Sequence, residues 1–322
     1  YLFDTIRKVV EGFGYVEYNA SPLEPAELYK SKTSEEIVNE QTYTFTDRGD
    51  REVTLRPEMT PTVARMLAAR RREVALPARW YSIPNVFRYE RPQRGRLREH
   101  YQLNCDIFGV SGIEADAEII TLAYEILRAF GAKDNDFEIR LNSRVALQNL
   151  FTSLELTDEQ SKDMLALIDR KNKIDDFEKQ AEKIAGKTFR LEDAHDPNLD
   201  SVMSMLKDLG MANVVVDTSI ARGFLYYTGV VFEVFDTSAE NNRSLFGGGR
   251  YDNLLDLFGV DPLPAVGFGM GDVTLRDFLE THNLLPKYES TTHLYVGTLP
   301  DADHSFVHEL AKKLRNKGIN VA

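Results

Sequence analysis

Between Arg65 and Arg98 the chain carries ten arginines, at 65, 70, 71, 72, 79, 88, 91, 94, 96 and 98, opposed only by Glu73 and Glu90. The chain as a whole is acidic, with a formal net charge of −12. A cationic stretch on such a background is either a phosphate-binding surface or a solvated basic face. Guanidinium groups fix phosphate and carboxylate through paired, charge-assisted hydrogen bonds. Arg88, Arg96, Arg98 and the more distant Arg222 are therefore candidates to hold polyphosphate without a dedicated phosphate loop. No G-x-x-x-x-G-K-[ST] run occurs, which removes the P-loop class. Gly247-Gly-Gly-Arg250 and Gly267-Phe-Gly-Met-Gly271 do not fit the dinucleotide fingerprint; they let backbone approach a flat ligand, or turn the chain. H-E-x-x-H, C-x-x-C and G-x-S-x-G are absent and the six histidines are scattered, so no metal ligand is assigned.

The polar residues also alternate. Successive side chains of a strand point to opposite faces. Over Tyr101–Ile107, Tyr101, Leu103, Cys105 and Ile107 share one face, and Gln102, Asn104 and Asp106 the other. Phe87 and Tyr89 oppose Arg88 and Glu90, and Thr54, Arg56 and Glu58 alternate with Val53 and Leu55. Three strands with one apolar face and one face of Arg, Glu, Gln and Asp line a cleft, or carry cross-strand ion pairs.

The elements that position these residues follow from periodicity. Leu2, Ile6, Val9, Val10 and Phe13 have amphipathic helical spacing, ended by Gly12 and Gly14. Residues 15–21 read as a strand stopped by Pro22 and Pro25, and 41–46 and 52–56 as a hairpin. A short helix over 61–72 precedes two long strands, 79–90 and 99–110, then a helix over 114–130 and a strand over 136–142. Residues 145–210 are charged and helical, with helices at 159–169 and 173–184, and read as an inserted subdomain. Strands return at 213–216, 229–236 and 245–246, and Gly267–Gly271 leads into a helix through Leu279. Strand 293–298, helix 302–316 and strand 319–322 open an α/β unit.

The 322 residues suffice for two or more domains, and 43% hydrophobic with 28% charged residues is an ordinary globular composition. No apolar run approaches the roughly 20 residues of a membrane span, and no signal peptide is recognisable. Cys105 is the single cysteine, which excludes an internal disulfide and fits a reducing cytoplasm.

Several blocks resemble a known family. Phe87-Arg-Tyr-Glu-Arg-Pro-Gln-Arg-Gly-Arg-Leu-Arg-Glu-His-Tyr-Gln102 resembles motif 2 of class II aminoacyl-tRNA synthetases in its histidine-specific form. Thr54-Leu-Arg-Pro-Glu-Met-Thr60 resembles the amino-acid-binding segment of histidine–tRNA ligases. Arg222-Gly-Phe-Leu-Tyr-Tyr-Thr-Gly229 with Val231-Phe-Glu233, and Phe246-Gly-Gly-Gly-Arg-Tyr-Asp-Asn253, are similar to their two histidine signatures. Pro264-Ala-Val-Gly-Phe-Gly-Met-Gly271 resembles the approach to motif 3, and Pro22 falls where motif 1 has its dimer-interface proline. Five blocks stand in family order, and the resemblance covers nearly the whole chain.

The resemblance implies an α+β fold: a class II synthetase-type antiparallel sheet flanked by helices, with a helical insertion and the start of a C-terminal α/β domain. It implies a catalytic domain in two parts, 1–144 and 211–288, the insertion at 145–210, and a truncated anticodon-binding domain at 289–322. The implied reaction is ATP-dependent formation of histidyl adenylate from L-histidine and transfer to tRNA(His), by a cytoplasmic homodimer, with Mg²⁺ carried on the phosphates. Arg88 and Arg222 are the implied catalytic residues. Glu58, Met59 and Thr60 with Arg88, Gln102, Asp106, Arg222, Tyr226 and Tyr227 are the implied histidine site, Asp106 and one of the two tyrosines reading the imidazole. Arg88, Glu90, Arg96 and Arg98 are the implied ATP site. Two positions depart from the pattern. Thr274 stands where motif 3 has its phosphate-gripping arginine, with Arg96, Arg98 and Arg250 as replacement cations, and Leu225 where aspartate is usual. Lost motif residues keep an alternative open, a regulatory paralogue of ATP phosphoribosyltransferase that binds histidine without charging tRNA.

Overall fold

The computed structural model describes all residues except 31–40, 92, 169, 172–173, 221–225, 242–243 and 302, and the side chain at 257. The described residues form two compact units, Tyr1–Leu284 and Leu285–Ala322. In chain order the strands are β1 (Val16–Glu17), β2 (Leu23–Pro25), β3 (Tyr43–Thr46), β4 (Glu52–Leu55), β5 (Ala78–Ser82), β6 (Asn85–Phe87), β7 (Glu99–Phe108), β8 (Phe137–Ser143), β9 (Val214–Val216), β10 (Val230–Asp236), β11 (Ser244–Arg250) and β12 (Ala265–Gly271). The helices are α1 (Leu2–Gly12), α2 (Glu27–Lys30), α3 (Thr60–Ala69), α4 (Ile113–Ala129), α5 (Arg144–Ser153), α6 (Asp158–Ile168), α7 (Phe177–Ala185), α8 (Pro197–Asp208), α9 (Asp272–Thr281) and α10 (His304–Arg315).

The first unit is built on a nine-stranded sheet in the order β1-β5-β7-β12-β11-β10-β8-β9, with β6 also pairing to β7. All its pairs are antiparallel except β1–β5 and β8–β9. Register separates the two faces cleanly. Leu103–Met270–Phe246–Val234–Ile139 and Cys105–Phe268–Gly248–Phe232–Leu141 run across the sheet as apolar rows. The helix α4 covers β7 and β12 and packs in turn on α1 and α8. Phe232 and Ile139 are 1% and 0% exposed, so truncating such a residue to Ala would cost about 2–5 kcal/mol. The opposite rows are Asn104–Gly269–Gly247–Glu233–Arg140 and Asp106–Gly267–Gly249–Val231–Asn142, polar at the margins and bare in the middle. That bare, polar-edged face is the floor of the site.

Four expectations change. The strand expected over 79–90 is broken into β5 and β6 at Ile83-Pro84, because Pro84 has no N–H to give to the ladder; its carbonyl instead accepts from Gln102 N at 3.0 Å. Only Val16–Glu17 of the expected strand over 15–21 is a strand, and Leu23–Pro25 pairs elsewhere, with β4 and β3 in a small separate sheet. Thr54 and Arg56 therefore do not extend the polar face; Arg56 is buried as a clamp, donating to the carbonyls of Asn85 and Ala20 at 2.8 Å each. The two glycine-rich runs are not turns but strand segments, β11 and β12, and Gly267–Gly271 leads directly into α9 as expected.

Residues 145–210 hold two kinds of helix. α5, α6 and α7 share a core of their own, with Leu147, Phe151, Met164, Phe177 and Phe189 at its centre. α8 packs instead on α4, β8 and β9. The caps tie the two groups together: Ser143 Oγ accepts from Val145 N and Ala146 N to start α5, and donates to Asp196, whose other oxygen caps Asn198 N to start α8. Asp169, Lys173 and Ala302, at the ends of expected helices, lie outside the described residues. In the second unit the expected strands reduce to a single parallel bridge, Leu294↔Val321, beside α10.

Candidate active site

A cavity of about 370 Å³ opens on the polar face of the large sheet. Its floor is the backbone of β11 and β12, and glycine is required there by what crosses it. A Cβ at Gly269 would sit 2.6 Å from Gln102 Nε2, and one at Gly267 would overlap the Asp106 carboxylate. The polar side chains of β7 thus lie flat over glycines, and the floor stays open for a ligand.

Two groups of residues line the walls. Towards Gly267, Glu58 is 3% exposed, and its Oε2 accepts from the Tyr226 hydroxyl at 3.2 Å. Tyr226 packs edge-on against Tyr251, with ring centroids 5.8 Å apart, and against Tyr227 at 4.8 Å. The Tyr251 hydroxyl donates to Asp106, which is 3% exposed. Burial pushes the Asp106 carboxyl up to about 7, against the hydrogen bond from Tyr251, which pulls it down. Towards Gly271, Arg96 reaches Glu90 at 3.4 Å, and Gly95, Thr274 and His100 close the wall. Burial, then the nearby Arg88 cation, lowers His100 to about 4, so its imidazole is neutral at pH 7. Arg88 stands between the groups, half-buried, its Nε fixed to the Pro57 carbonyl at 2.9 Å. Fixed cations, a carboxylate and a row of tyrosines over bare backbone suit a small zwitterion beside a polyphosphate.

Comparison with known proteins gives the same direction. The family described as histidyl-tRNA synthetase matches residues 2–190 and 175–272. A histidine–tRNA ligase of Leptospira biflexa serovar Patoc is 43% identical over 99% of this chain and 79% of its own length. One from Thermoplasma volcanium is 39% identical over 100% of this chain and 80% of its own. The chain belongs to the histidyl-tRNA synthetase family. A solved structure from Bacillus halodurans, described as an ATP phosphoribosyltransferase regulatory subunit/histidyl-tRNA synthetase, superposes with a TM-score of 0.77 at 22% identity, covering 100% of this chain and 86% of that one. At that identity the likeness speaks for the shared fold.

Most residues expected from the family resemblance meet at this cavity: Glu58, Thr60, Arg88, Glu90, Arg96, Gln102, Tyr226 and Tyr227 all line it. Three do not. Met59 is 0% exposed and faces the core at the start of α3. Arg98 turns away, its guanidinium 4.2 Å above the Tyr89 ring and its Nε on the Glu90 carbonyl; strand parity lapses where β6 ends, and the aromatic face captures the cation. Asp106 is not among the lining residues; its carboxylate lies over Gly267, which is, and accepts from the Tyr251 hydroxyl. Arg222 and Leu225 lie outside the described residues.

The arginine stretch is not one surface. Arg65 pairs with buried Glu24 at 2.7 Å and Arg79 with Glu118 at 2.6 Å, which leaves Arg88 and Arg96 as the members that line the cavity. Arg250 is no replacement cation. Register puts it on the helix side of the sheet, where its Nε is held by Asp116 of α4 at 3.0 Å. Sequence reasoning put Asn104 on the cleft face without a role, and missed Glu233, Tyr251 and His100 as lining residues. Each had a signal: Asn104 shares the face of Gln102, His100 is two residues before it, and Glu233 and Tyr251 stand inside the quoted blocks.

Proposed function

We propose that the chain activates L-histidine with ATP to histidyl adenylate and transfers the histidyl group to the 3′-terminal adenosine of tRNA(His). The observation that carries this reading is that Glu58, Arg88, Gln102 and Tyr227, from three separate sequence blocks, border one glycine-floored cavity. In activation the histidine carboxylate attacks the α-phosphorus and pyrophosphate leaves, so two anions meet and charge builds on the α-phosphate. Positioned cations lower that barrier. Arg88 spans carboxylate and α-phosphate, and the family resemblance gives Arg222 the second cationic role, on the other side of the reacting phosphate. Glu58 and Thr60 hold the α-amino group, Gln102 the carboxylate, and the Tyr227 hydroxyl the acceptor nitrogen of the imidazole. Glu90 and Arg96 contact ATP. Mg²⁺ suits the hard carboxylate oxygens of Glu90 and Glu233 and would neutralise phosphate charge when bound.

We further assign 1–144 and 211–288 to the catalytic domain, 145–210 to the insertion and 289–322 to an anticodon-binding domain, in a homodimer. Among the described residues no helix is long and apolar enough to cross a membrane.

Histidine-dependent ATP–pyrophosphate exchange, followed by charging of tRNA(His), tests the reading. Exchange at background with histidine binding intact would overturn it in favour of the regulatory paralogue.

A further inference from the structure

Arg94 has no part in the site described above, yet it stands two residues before Arg96, which lines the cavity. The loop between β6 and β7 ends in a tight turn. Gln93 N donates to the Arg96 carbonyl at 3.2 Å and Arg96 N to the Gln93 carbonyl at 2.9 Å, with Arg94 and Gly95 at the two corners. Gly95 has φ +78°, in the left-handed region that glycine takes without strain. Further back, Arg88 N donates to the Arg98 carbonyl at 2.9 Å. These cross-links stiffen the hairpin, so whatever holds its tip also sets where Arg96 stands.

The tip rests on α9. Thr274, Asp277 and Thr281 are spaced three and four residues apart and share one face of that helix. A Cβ at Gly95 would lie 3.7 Å from Thr274 Cγ2 and 3.8 Å from Asp277 Oδ2, ordinary contact distances. Arg94 Nη2 donates to Thr281 Oγ1 at 3.3 Å, and its guanidinium stands 4.0 Å from Asp277 and 3.8 Å from Glu240, in the turn between β10 and β11. The acceptor is itself prepared. Thr281 Oγ1 donates to the Asp277 carbonyl at 2.9 Å, which leaves its lone pairs to Arg94 and to Asn241 Nδ2, 3.2 Å away. Asn241 Nδ2 also donates, at 2.6 Å, to the fully buried carboxylate of Asp236 at the end of β10. Arg94 is 55% exposed, so each of its contacts is weak alone. Three acceptors around one guanidinium, tied to a buried carboxylate, hold it better than an isolated surface pair.

We propose that Arg94 is a positioning residue: it latches the loop between β6 and β7 onto α9 and the β10–β11 turn, and so holds Arg96 at the nucleotide end of the cavity. The proposal rests on the ATP reading given above and deepens it. Without the latch the hairpin spends part of its time away from α9. Apparent ATP affinity then falls by the fraction of chains whose loop is in place. Histidine, at the other end, does not feel the change.

The test uses the full chain and two readouts, amide hydrogen exchange over residues 93–98 without ligand and histidine-dependent ATP–pyrophosphate exchange. Arg94→Ala should speed hydrogen exchange in the loop about 3- to 10-fold. It should raise the ATP KM about 2- to 5-fold, with kcat and the histidine KM within about 2-fold. The Arg94→Ala, Arg96→Ala double variant should be no worse in ATP KM than Arg96→Ala alone, because Arg94 acts through Arg96. Asp277→Asn combined with Glu240→Gln keeps Arg94 and removes the charges that hold it; this pair should also raise the ATP KM. A lowered ATP KM there would mean that Arg94, once freed, grips phosphate itself, and would overturn the latch. So would additive losses in the double variant, or unchanged loop hydrogen exchange in Arg94→Ala. Absence of histidine-dependent exchange by the unmodified chain sinks the ATP reading instead, and loop hydrogen exchange then decides the latch alone.

Discussion

The two ends of the cavity are built on different principles. Along β7, Asp106 pairs with Gly267 and Gln102 with Gly271, so the ends lie roughly 13 Å apart at about 3.3 Å per strand residue. At the first end every named polar group is already spoken for by another protein group: Glu58 by Tyr226, Asp106 by Tyr251. Both carboxylates are 3% exposed. At the second end Arg96 is 48% exposed and Glu90 13%, and their contact at 3.4 Å is loose. The first end is a preformed mould that discriminates by leaving misfits unpaired. The second is a charged mouth, suited to a flexible polyanion, where interactions are screened and individually weak. On the proposed function, the mould would set which amino acid enters, and the mouth how tightly the nucleotide is held.

Arg88 stands between the ends, and removing it is the strongest attack on this division. Arg88→Ala should lower histidine-dependent exchange by about 10²–10³ with the fold retained, the loss typical of a transition-state charge stabiliser. Both KM values should move far less than kcat. A variant that changed only the ATP KM would place Arg88 in the mouth.

The mould should also have a cost visible without substrate. Asp106 has an ordinary value of 3.8 but is held at about 7 in the fold. Between those values the folded chain keeps a proton that the unfolded chain has released, so this residue lowers stability as pH rises from about 4 to 7. The cost is absent below the lower value and complete above the upper one, on the order of 2–4 kcal/mol. Asp106→Asn removes the titration and keeps an acceptor for Tyr251. Its melting temperature relative to the unmodified protein should climb across that window and level off above it. A constant difference from pH 4 to 8 would show that the carboxyl is not strained by burial.

How much of this contrast was legible beforehand depended on side-chain period and on reach. Alternation placed Gln102, Asn104 and Asp106 on one face, and β7 obeys it. Period says which face a side chain takes, not whether it arrives at a ligand. Asp106 is on the expected face, but its carboxylate is buried over Gly267 and engaged by the Tyr251 hydroxyl, which alternation alone does not reveal. The loop after β6 was legible in composition only. Nothing in the run of arginines distinguishes Arg96, which lines the cavity, from Arg98, which stacks on Tyr89. Buried Arg250 was misjudged for a simpler reason: β11 is a strand where glycines suggested a turn, and strand parity then turns its guanidinium to Asp116.

At the mouth, Arg96→Ala should raise the ATP KM about 3- to 10-fold and leave the histidine KM unchanged. A charge-assisted contact is worth about 1.5–3 kcal/mol when sheltered, and the exposure of Arg96 discounts it. Equal changes in both constants would mean that the ends are coupled and the comparison fails.

The smallest effect is expected at Thr274, where the family resemblance leads one to expect an arginine. Thr274 is not an empty position. Its Oγ1 donates to the Leu245 carbonyl at 2.8 Å and lies 3.2 Å from the Gly271 carbonyl, pinning the start of α9 to the start of β11. It borders Gly95 and the cavity beside neutral His100. Thr274→Arg would reach past these neighbours into the mouth and add a cation for phosphate. Three terms oppose the gain. The Thr hydrogen bonds are lost, at about 1 kcal/mol. A positive charge in the first turn of α9 faces the positive end of the helix dipole, at about 0.3–1 kcal/mol. On the proposed function the phosphates would already meet Arg88 and Arg96, so the new contact would not be additive. The net expectation is an ATP KM lowered by about 2- to 3-fold, with the histidine KM unchanged and melting slightly earlier. A fall of tenfold or more would mean that the mouth lacks a dedicated cation and that nucleotide affinity in this chain is limited by position 274. An unchanged ATP KM, with Arg96→Ala still damaging, would place the phosphate grip wholly on the loop that follows β6.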